Sequence, residues 1–417
     1  MARKMKDSGI EWIGEIPEGW SIARGKHILT LLQRAVFPTD GVITCFRDGE
    51  VTLRSNRRED GFTVSLKEIG YQGIEPGDLV VHGMDGFAGS IGISDSRGKS
   101  SPVLVVLDSS QDKKYLMYYL RSMAYNNVFL ALSTGIRVRS CDLKWNKLAD
   151  LLYLVPPIVE QHKLVSFLDE KCSEIDAMLS KTRASIEEYK KLKQAVITQA
   201  VTKGVRGERE MKDSGVEWIG EIPKEWDILN LVAHTSMLTP MRDRPENLDG
   251  PIPWIRIEDF DGKYISSSKA SLGVSKETVR SMNLKIYPVG TILCTSSCIM
   301  GKCAIVSREL VSNQRFIGII PDQNTCENFL YYLMLSNSER MNYLATGALQ
   351  ANLSRSSFEH LKVQFPSYQE QKEISDYLDT KCAEIDKLIA KKNQLVKELE
   401  SYKKSLIYEV VTGKREV

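Results

Sequence analysis

The sequence predicts an α/β (α+β) tandem duplication, with two globular lobes joined and separated by two long antiparallel coiled-coil helices. Three observations predict it: a block that recurs once at long range, two helical segments with a heptad pattern, and short β-rich runs between turn residues. The chain has 417 residues, room for two to four domains at roughly 100–200 residues each.

The repeat comes first. Met5 to Trp20 returns as Met211 to Trp226, with thirteen of sixteen positions identical. Leu168 to Asp176 returns as Leu378 to Asp386, with seven of nine identical. Between these blocks the echo is faint but in order. Pro76-Gly-Asp-Leu-Val-Val81 matches Pro288-Val-Gly-Thr-Ile-Leu293, and Thr134-Gly135 matches Thr346-Gly347. A period near 208 residues is a doubled domain, since solenoid repeats run about 20–50 residues. The ends of each copy agree and the middles differ, which suggests a common scaffold carrying two different recognition surfaces.

The end blocks are helical. From about Glu160 to Thr202 there is no Gly or Pro, and Glu, Lys, Leu and Ala abound. A heptad frame places Val165, Cys172, Leu179, Ile186, Lys193 and Ala200 at a, and Leu168, Ile175, Thr182, Tyr189 and Val196 at d. The second copy gives Leu378, Cys382, Ile385, Ile389, Val396, Leu399, Leu406 and Val410, with polar Ser375, Lys392 and Lys403 on the same seam. Apolar a and d positions sustained over more than four heptads predict a coiled coil, and seam lysines fix its register. Two matched seams predict that the helices pack on each other, as rods of about 65 Å at 1.5 Å per residue. Pro156-Pro157 and Pro366 end the lobes, and Gly204 and Gly207 close the first helix.

The lobes, about 21–155 and 227–365, read as mixed α/β. Leu79–Val81, Val103–Leu107 and Ile317–Ile320 are strand candidates, while Tyr115–Met123 and Glu327–Ser336 read as short helices.

Composition excludes several classes. With 42% hydrophobic and 26% charged residues the chain is an ordinary folding sequence. Lys+Arg (56) nearly balances Asp+Glu (54), for a net charge of +2, so no global basic signal points to nucleic acid. No run reaches the ~18 apolar residues of a membrane span, and no apolar core follows the basic start. Eight cysteines make no disulfide framework, and a reduced, cytoplasmic setting is expected.

Catalytic motifs fail narrowly. Gly92 to Ser100 resembles a phosphate loop but has five residues between its glycines, where the backbone cradle requires four. Val155-Pro156-Pro157-Ile158 lacks the amide and the aromatic ring with which an amino-methyltransferase holds a flipped base. Asp95 with Asp112-Lys113-Lys114 is a weak nuclease-like match. Cys294, Cys298 and Cys303 lack a C-x-x-C pair and a nearby histidine, so buried thiols are expected rather than zinc. The five histidines show no metal-site spacing. No active site and no metal site are read from this chain.

Local patches do point to DNA. Arg54, Arg57 and Arg58 cluster, as do Arg137 and Arg139 with Lys144 and Lys147, and Arg242 with Arg244. Amides and hydroxyls gather in Asn313-Gln314-Arg315 and in Gln350-Ala351-Asn352-Leu353-Ser354-Arg355. Arg, Asn and Gln read base edges, while Lys and Ser hold phosphates. Any one cluster is equally readable as a solvated loop.

The segments Trp-Ile-Gly-Glu-Ile-Pro-x-x-Trp at 12–20 and 218–226, Ile252-Pro-Trp-Ile-Arg256-Ile-Glu-Asp259, Pro288–Leu293, Gly301-Lys302, Asn313-Gln314, Gly347–Ser354 and Pro366-Ser-Tyr-Gln-Glu-Gln371 resemble the specificity (S) subunits of type I restriction–modification enzymes. The resemblance spans the whole chain and is looser through 27–150. It implies a first target-recognition domain at 1–155, a spacer helix at 156–204, a linker and second recognition domain at 205–365, and a second spacer helix at 366–417. It also implies a non-catalytic subunit that reads a bipartite, asymmetric double-stranded DNA site, one half per lobe. Its helices would dock two methyltransferase subunits, and restriction/translocase subunits would join them. S-adenosylmethionine, ATP and Mg would sit on those partners, with no cofactor on this chain. The alternative is a stand-alone duplicated DNA-binding regulator.

Overall fold

A computed structural model describes residues 3–57, 68–131, 142–240, 244–297, 301–345 and 353–417. The chain forms two compact units, one of Met1–Arg183 with Gln394–Val417 and the other of Ala184–Asn393.

In the first unit, hairpin β1 (Met5–Asp7) and β2 (Glu15–Pro17) precedes β3 (Ser21–Arg24) and β4 (Leu29–Leu31). Strands β5 (Ile43–Cys45), β6 (Val51–Leu53), β7 (Gln72–Ile74), β8 (Leu79–His82), β9 (Ile91–Ile93), β10 (Gly98–Ser100) and β11 (Leu104–Ser109) follow. The central sheet is antiparallel in the order β4-β11-β8-β9. Leu79 and Val81 pack in one apolar cluster, whereas Val80 packs in another with Ile43, Val51 and Val106. Both faces of β8 are therefore covered, which explains its unbroken apolar run. Helix α1 (Lys113–Tyr125) lies on the first face, its N-terminus capped by Asp112, whose side chain accepts from the Lys114 and Tyr115 amides. Helices α2 (Val128–Ala131) and α3 (Trp145–Asp150), then β12 (Leu152–Val155), complete the lobe, and β12 pairs with β3.

Helix α4 (Ile158–Lys203) starts directly after Pro156-Pro157. Its residues 158–183 belong to the first unit, where Leu164, Leu168, Cys172, Ile175 and Leu179 share a core with α1 and with Leu406, Ile407, Val410 and Val411.

The second unit repeats the scheme. Hairpin β13 (Met211–Asp213) and β14 (Glu221–Pro223) is followed by β15 (Asp227–Asn230), β16 (Thr235–Leu238), β17 (Ile252–Ile255), β18 (Tyr264–Ile265), β19 (Gly273–Val274) and α5 (Lys276–Ser281). Then come β20 (Ile292–Thr295), β21 (Cys303–Val306), β22 (Val311–Ser312), β23 (Phe316–Pro321), α6 (Glu327–Ser336), α7 (Ser338–Leu344), α8 (Arg355–Glu359), β24 (Lys362–Phe365) and α9 (Tyr368–Val411). The main sheet runs β16-β23-β20-β21-β18, so β4, β11, β8 and β9 have counterparts in the same order. This unit adds β18 parallel to β21 and a small sheet in the order β19-β17-β22. These additions fall in the middle of the repeat, where the two copies share least sequence.

The compact units divide the chain differently from the four modules read in the sequence. Each long helix is split between units, because its two ends bury apolar residues in different lobe cores. Within each unit the α4 and α9 segments run antiparallel. In the first, Asp176 meets Lys403 and Arg183 meets Glu400; in the second, Lys193 meets Asp386 and Lys392 lies over the Tyr189 ring. Val165, Leu168, Cys172, Ile175, Leu179, Ile186, Leu378, Cys382 and Ile385 are buried, and Ile389, Val396 and Leu399 are half-buried. Gly204 and Gly413 end the helices with φ of +76° and +72°, the left-handed stop that glycine adopts without strain.

Candidate nucleic-acid interface

Matched hydrogen bonds define the same corner in each unit, at the C-terminal end of β8 and of β20. In the first unit the His82 amide donates to Ser90 O (3.0 Å), Gly83 N to Val103 O (2.8 Å) and Leu143 N to Gly83 O (2.9 Å). In the second, Thr295 N donates to Lys302 O (2.9 Å), Ser296 N to Arg315 O (2.8 Å) and Leu353 N to Ser296 O (2.9 Å). The backbone lattice is the same, but the side chains are not. Where the second unit has Lys302, Arg315, Ser354 and Arg355, the first has Ser90, Val103, Lys144 and Trp145.

The second corner gathers most of the residues singled out there by sequence. Parallel pairing of Ile255 with Ser312 puts Arg256 beside Asn313. Asn313 Oδ1 accepts from the Arg315 amide at 3.0 Å, closing a turn that leaves Gln314 and Arg315 exposed. Ser354 caps α8 by accepting from the Ser357 amide at 3.1 Å. Arg355 pairs with Glu359 at 2.7 Å and Arg256 with Glu258 at 3.2 Å, while Lys302 and Arg244 are exposed. Such exposed pairs are worth only about 0.2–1 kcal/mol, so a phosphate can replace the carboxylate at little cost.

In the first unit, Arg54 and Arg57 line a cleft of about 690 Å³ together with Thr44, Phe46, His82 and Asp85. Arg54 Nε donates to Thr44 Oγ1 at 2.9 Å. Arg57 stacks 4.2 Å over the Phe46 ring and pairs with Asp48 and Glu50. Lys144 pairs with Asp142 at 3.3 Å and lines a second groove of about 560 Å³ with Gln33, Tyr71 and Trp145. The structure does not bring Lys144 into the cleft of Arg54 and Arg57. Arg58, Arg137, Arg139, Arg242, Gln350 and Asn352, with the two Thr-Gly pairs, lie outside the described residues.

Cys294 and Cys303 are buried and directly opposite each other on β20 and β21, and burial pushes the Cys294 thiol up. Cys298 lies outside the described residues.

Sequence reasoning passed over the residues that dock each long helix on its lobe. Gln161 and Gln371 are buried and make the same bonds. The amide of each donates to the carbonyl five residues back (Pro156 or Pro366), and its oxygen accepts from the N-cap amide of α1 (Asp112) or α6 (Cys326). Asp169 and Asp379 likewise each accept from a tyrosine, Tyr118 or Tyr332. Burial, reinforced by these carboxylates, pushes both phenols up. The spacing of 210 residues within each pair was the available signal.

The chain is thus a duplicated α/β protein with paired long helices and dissimilar corners on one backbone lattice. Residues 227–398 match the family model described as type I restriction modification DNA specificity domain. The putative MjaX specificity subunit of Methanocaldococcus jannaschii is 24% identical over 96% of this chain and 95% of its own. The MjaIX specificity subunit of the same organism is 34% identical over 42% of this chain and 41% of its own, so that match spans about two fifths of the relative's length. Two solved structures share the fold. A chain from work on complex assembly and conformational transition of the type I R-M system has a TM-score of 0.75 at 12% identity, covering 96% of this chain and 99% of its own. The HsdS subunit from Thermoanaerobacter tengcongensis has 0.52 at 13%, covering 96% and 98%. Residues 227–398 thus match the specificity-domain family, and nearly the whole chain is similar to type I restriction–modification specificity subunits. Among the described residues, no helix is long and apolar enough to cross a membrane.

Proposed function

We propose that this chain is the sequence-reading, non-catalytic subunit of a type I complex, with each unit reading one half of a bipartite, asymmetric DNA site. The observation that supports this most is the matched corner. One backbone lattice carries Lys302, Arg315 and Arg355 in one unit and Ser90, Val103 and Trp145 in the other. Equal scaffolds favour equal placement on a duplex, and unequal side chains favour unequal base sequences. The near-neutral total charge of +2 fits a chain whose partners share the phosphate contacts.

In this reading the α4–α9 pair docks two methyltransferase subunits and sets the spacer between half-sites. Restriction/translocase subunits join that assembly, and S-adenosylmethionine, ATP and Mg belong to the partners. The test is selection of bound duplexes from a random pool. Substituting Lys302, Arg315 and Arg355 by Ala together should relax one half of the selected sequence and leave the other intact. Relaxation of both halves would refute one half-site per unit. Co-purification without any methyltransferase would favour the stand-alone regulator.

A further inference from the structure

We propose that His82 reads a hydrogen-bond acceptor on a base edge in the half-site of the first unit, through a ring nitrogen whose proton is fixed by the turn beneath it. This rests on the reading of the first unit as a DNA-recognition unit.

His82 is the last residue of β8, at the corner where Thr295 stands in the second unit. Its Nδ1 accepts from two backbone amides, Met84 at 3.3 Å and Asp85 at 3.0 Å. A nitrogen that accepts two N–H groups carries no proton, so the hydrogen of the neutral ring sits on Nε2. Nε2 is thus a defined donor, and among the described residues it makes no hydrogen bond. Asp85 also pairs with Arg47 at 3.1 Å, which steadies the turn that holds the ring.

The surroundings fit a nucleic-acid edge. His82 lines the cleft of about 690 Å³ with Thr44, Arg54, Arg57 and Asp85. Burial lowers the pKa of the imidazole, which keeps it neutral near pH 7. A neutral donor with one fixed hydrogen discriminates among bases; a cation would hold any phosphate. In the major groove the acceptors open to such a donor are purine N7, guanine O6 and thymine O4. The half-buried ring is also more closely positioned than the long arginines beside it, as base reading requires.

The test is duplex selection with this chain and two variants of it, each in complex with its partners. In His82→Asn the side-chain oxygen takes the place of Nδ1 and keeps the turn, but nothing reaches the place of Nε2. His82→Gln puts an amide N–H close to Nε2. The inference expects His82→Asn to lose base preference at one position of one half-site, with affinity for the wild-type sequence down about tenfold. His82→Gln should retain that preference in part, and the other half-site should be unchanged in both. An unaltered selected sequence in His82→Asn overturns the inference. So does uniformly weaker binding without loss of preference, which would mark a phosphate contact. If the wild-type chain with its partners selects no sequence at all, the recognition reading itself fails.

Discussion

Lys193 Nζ lies 2.6 Å from the Asp386 carboxylate, and Lys403 Nζ lies 2.6 Å from that of Asp176. Asp176 and Asp386 are 210 residues apart, as are Lys193 and Lys403. Each bond therefore joins the lysine of one copy to the aspartate of the other. This exchange is the pattern of a self-complementary interface, here formed within one chain.

Reversing one of these charges should be modest but specific. Lys193→Glu is expected to lower stability by about 1 kcal/mol, the upper range for exposed pairs, in urea unfolding of the full chain. Adding Asp386→Lys should recover most of the loss. No recovery would mean that the pair does not form in solution.

A second relationship differs between the copies. Glu370 is buried, pairs with Arg209 at 2.6 Å and accepts from Trp226 Nε1 at 3.0 Å. Its counterpart Glu160 pairs with Arg3, but its side chain is 25% exposed, and Trp20 Nε1 has no hydrogen-bond partner among the described residues. Glu370→Ala should cost about 2–3 kcal/mol by leaving the buried Trp226 Nε1–H without an acceptor, since Arg209 keeps Glu225 at 3.1 Å, and Glu160→Ala about 0.5 kcal/mol. Equal losses would contradict the difference in burial.

The seam should tolerate truncation poorly. Leu168 and Leu378 are fully buried, and Leu→Ala at either is expected to cost about 2–5 kcal/mol in chemical unfolding. A loss below about 1 kcal/mol would show a helix pair that repacks freely.

His82 gives the stability a pH slope. Its folded pKa is lowered, first by burial, so the unfolded chain takes up the proton more readily. The stabilisation is complete above the unfolded value of about 6.5 and falls as pH drops below it. Unfolding free energy should therefore decline from pH 7 toward pH 5, and His82→Asn should flatten this decline. An equal slope in the variant would assign it to other groups.

Much of this architecture was legible in the sequence. The duplication and both long helices followed from identity at long range and from the heptad, which depend on local pattern alone. Glu327–Ser336 was read to its ends because its apolar residues and its neighbours agree. The site was only partly legible. Arg256, Lys302, Asn313, Arg315 and Ser354 are brought together by strand register and by three backbone bonds, two of them long-range, which no local pattern encodes. The equivalence of Arg315 with Val103 was hidden for the same reason, since the two side chains share no chemistry and only the backbone bonds align them. His82 was passed over because its neighbours on the chain form no ligand spacing; the turn at 83–86 and the cleft give it meaning.

The most direct measurement exchanges residues 227–365 for the corresponding lobe of another specificity subunit and determines the sequence bound by the resulting complex. One half-site should change to that of the donor lobe, with the other half retained. A change in both halves, or in neither, would contradict the assignment of one half-site to each unit.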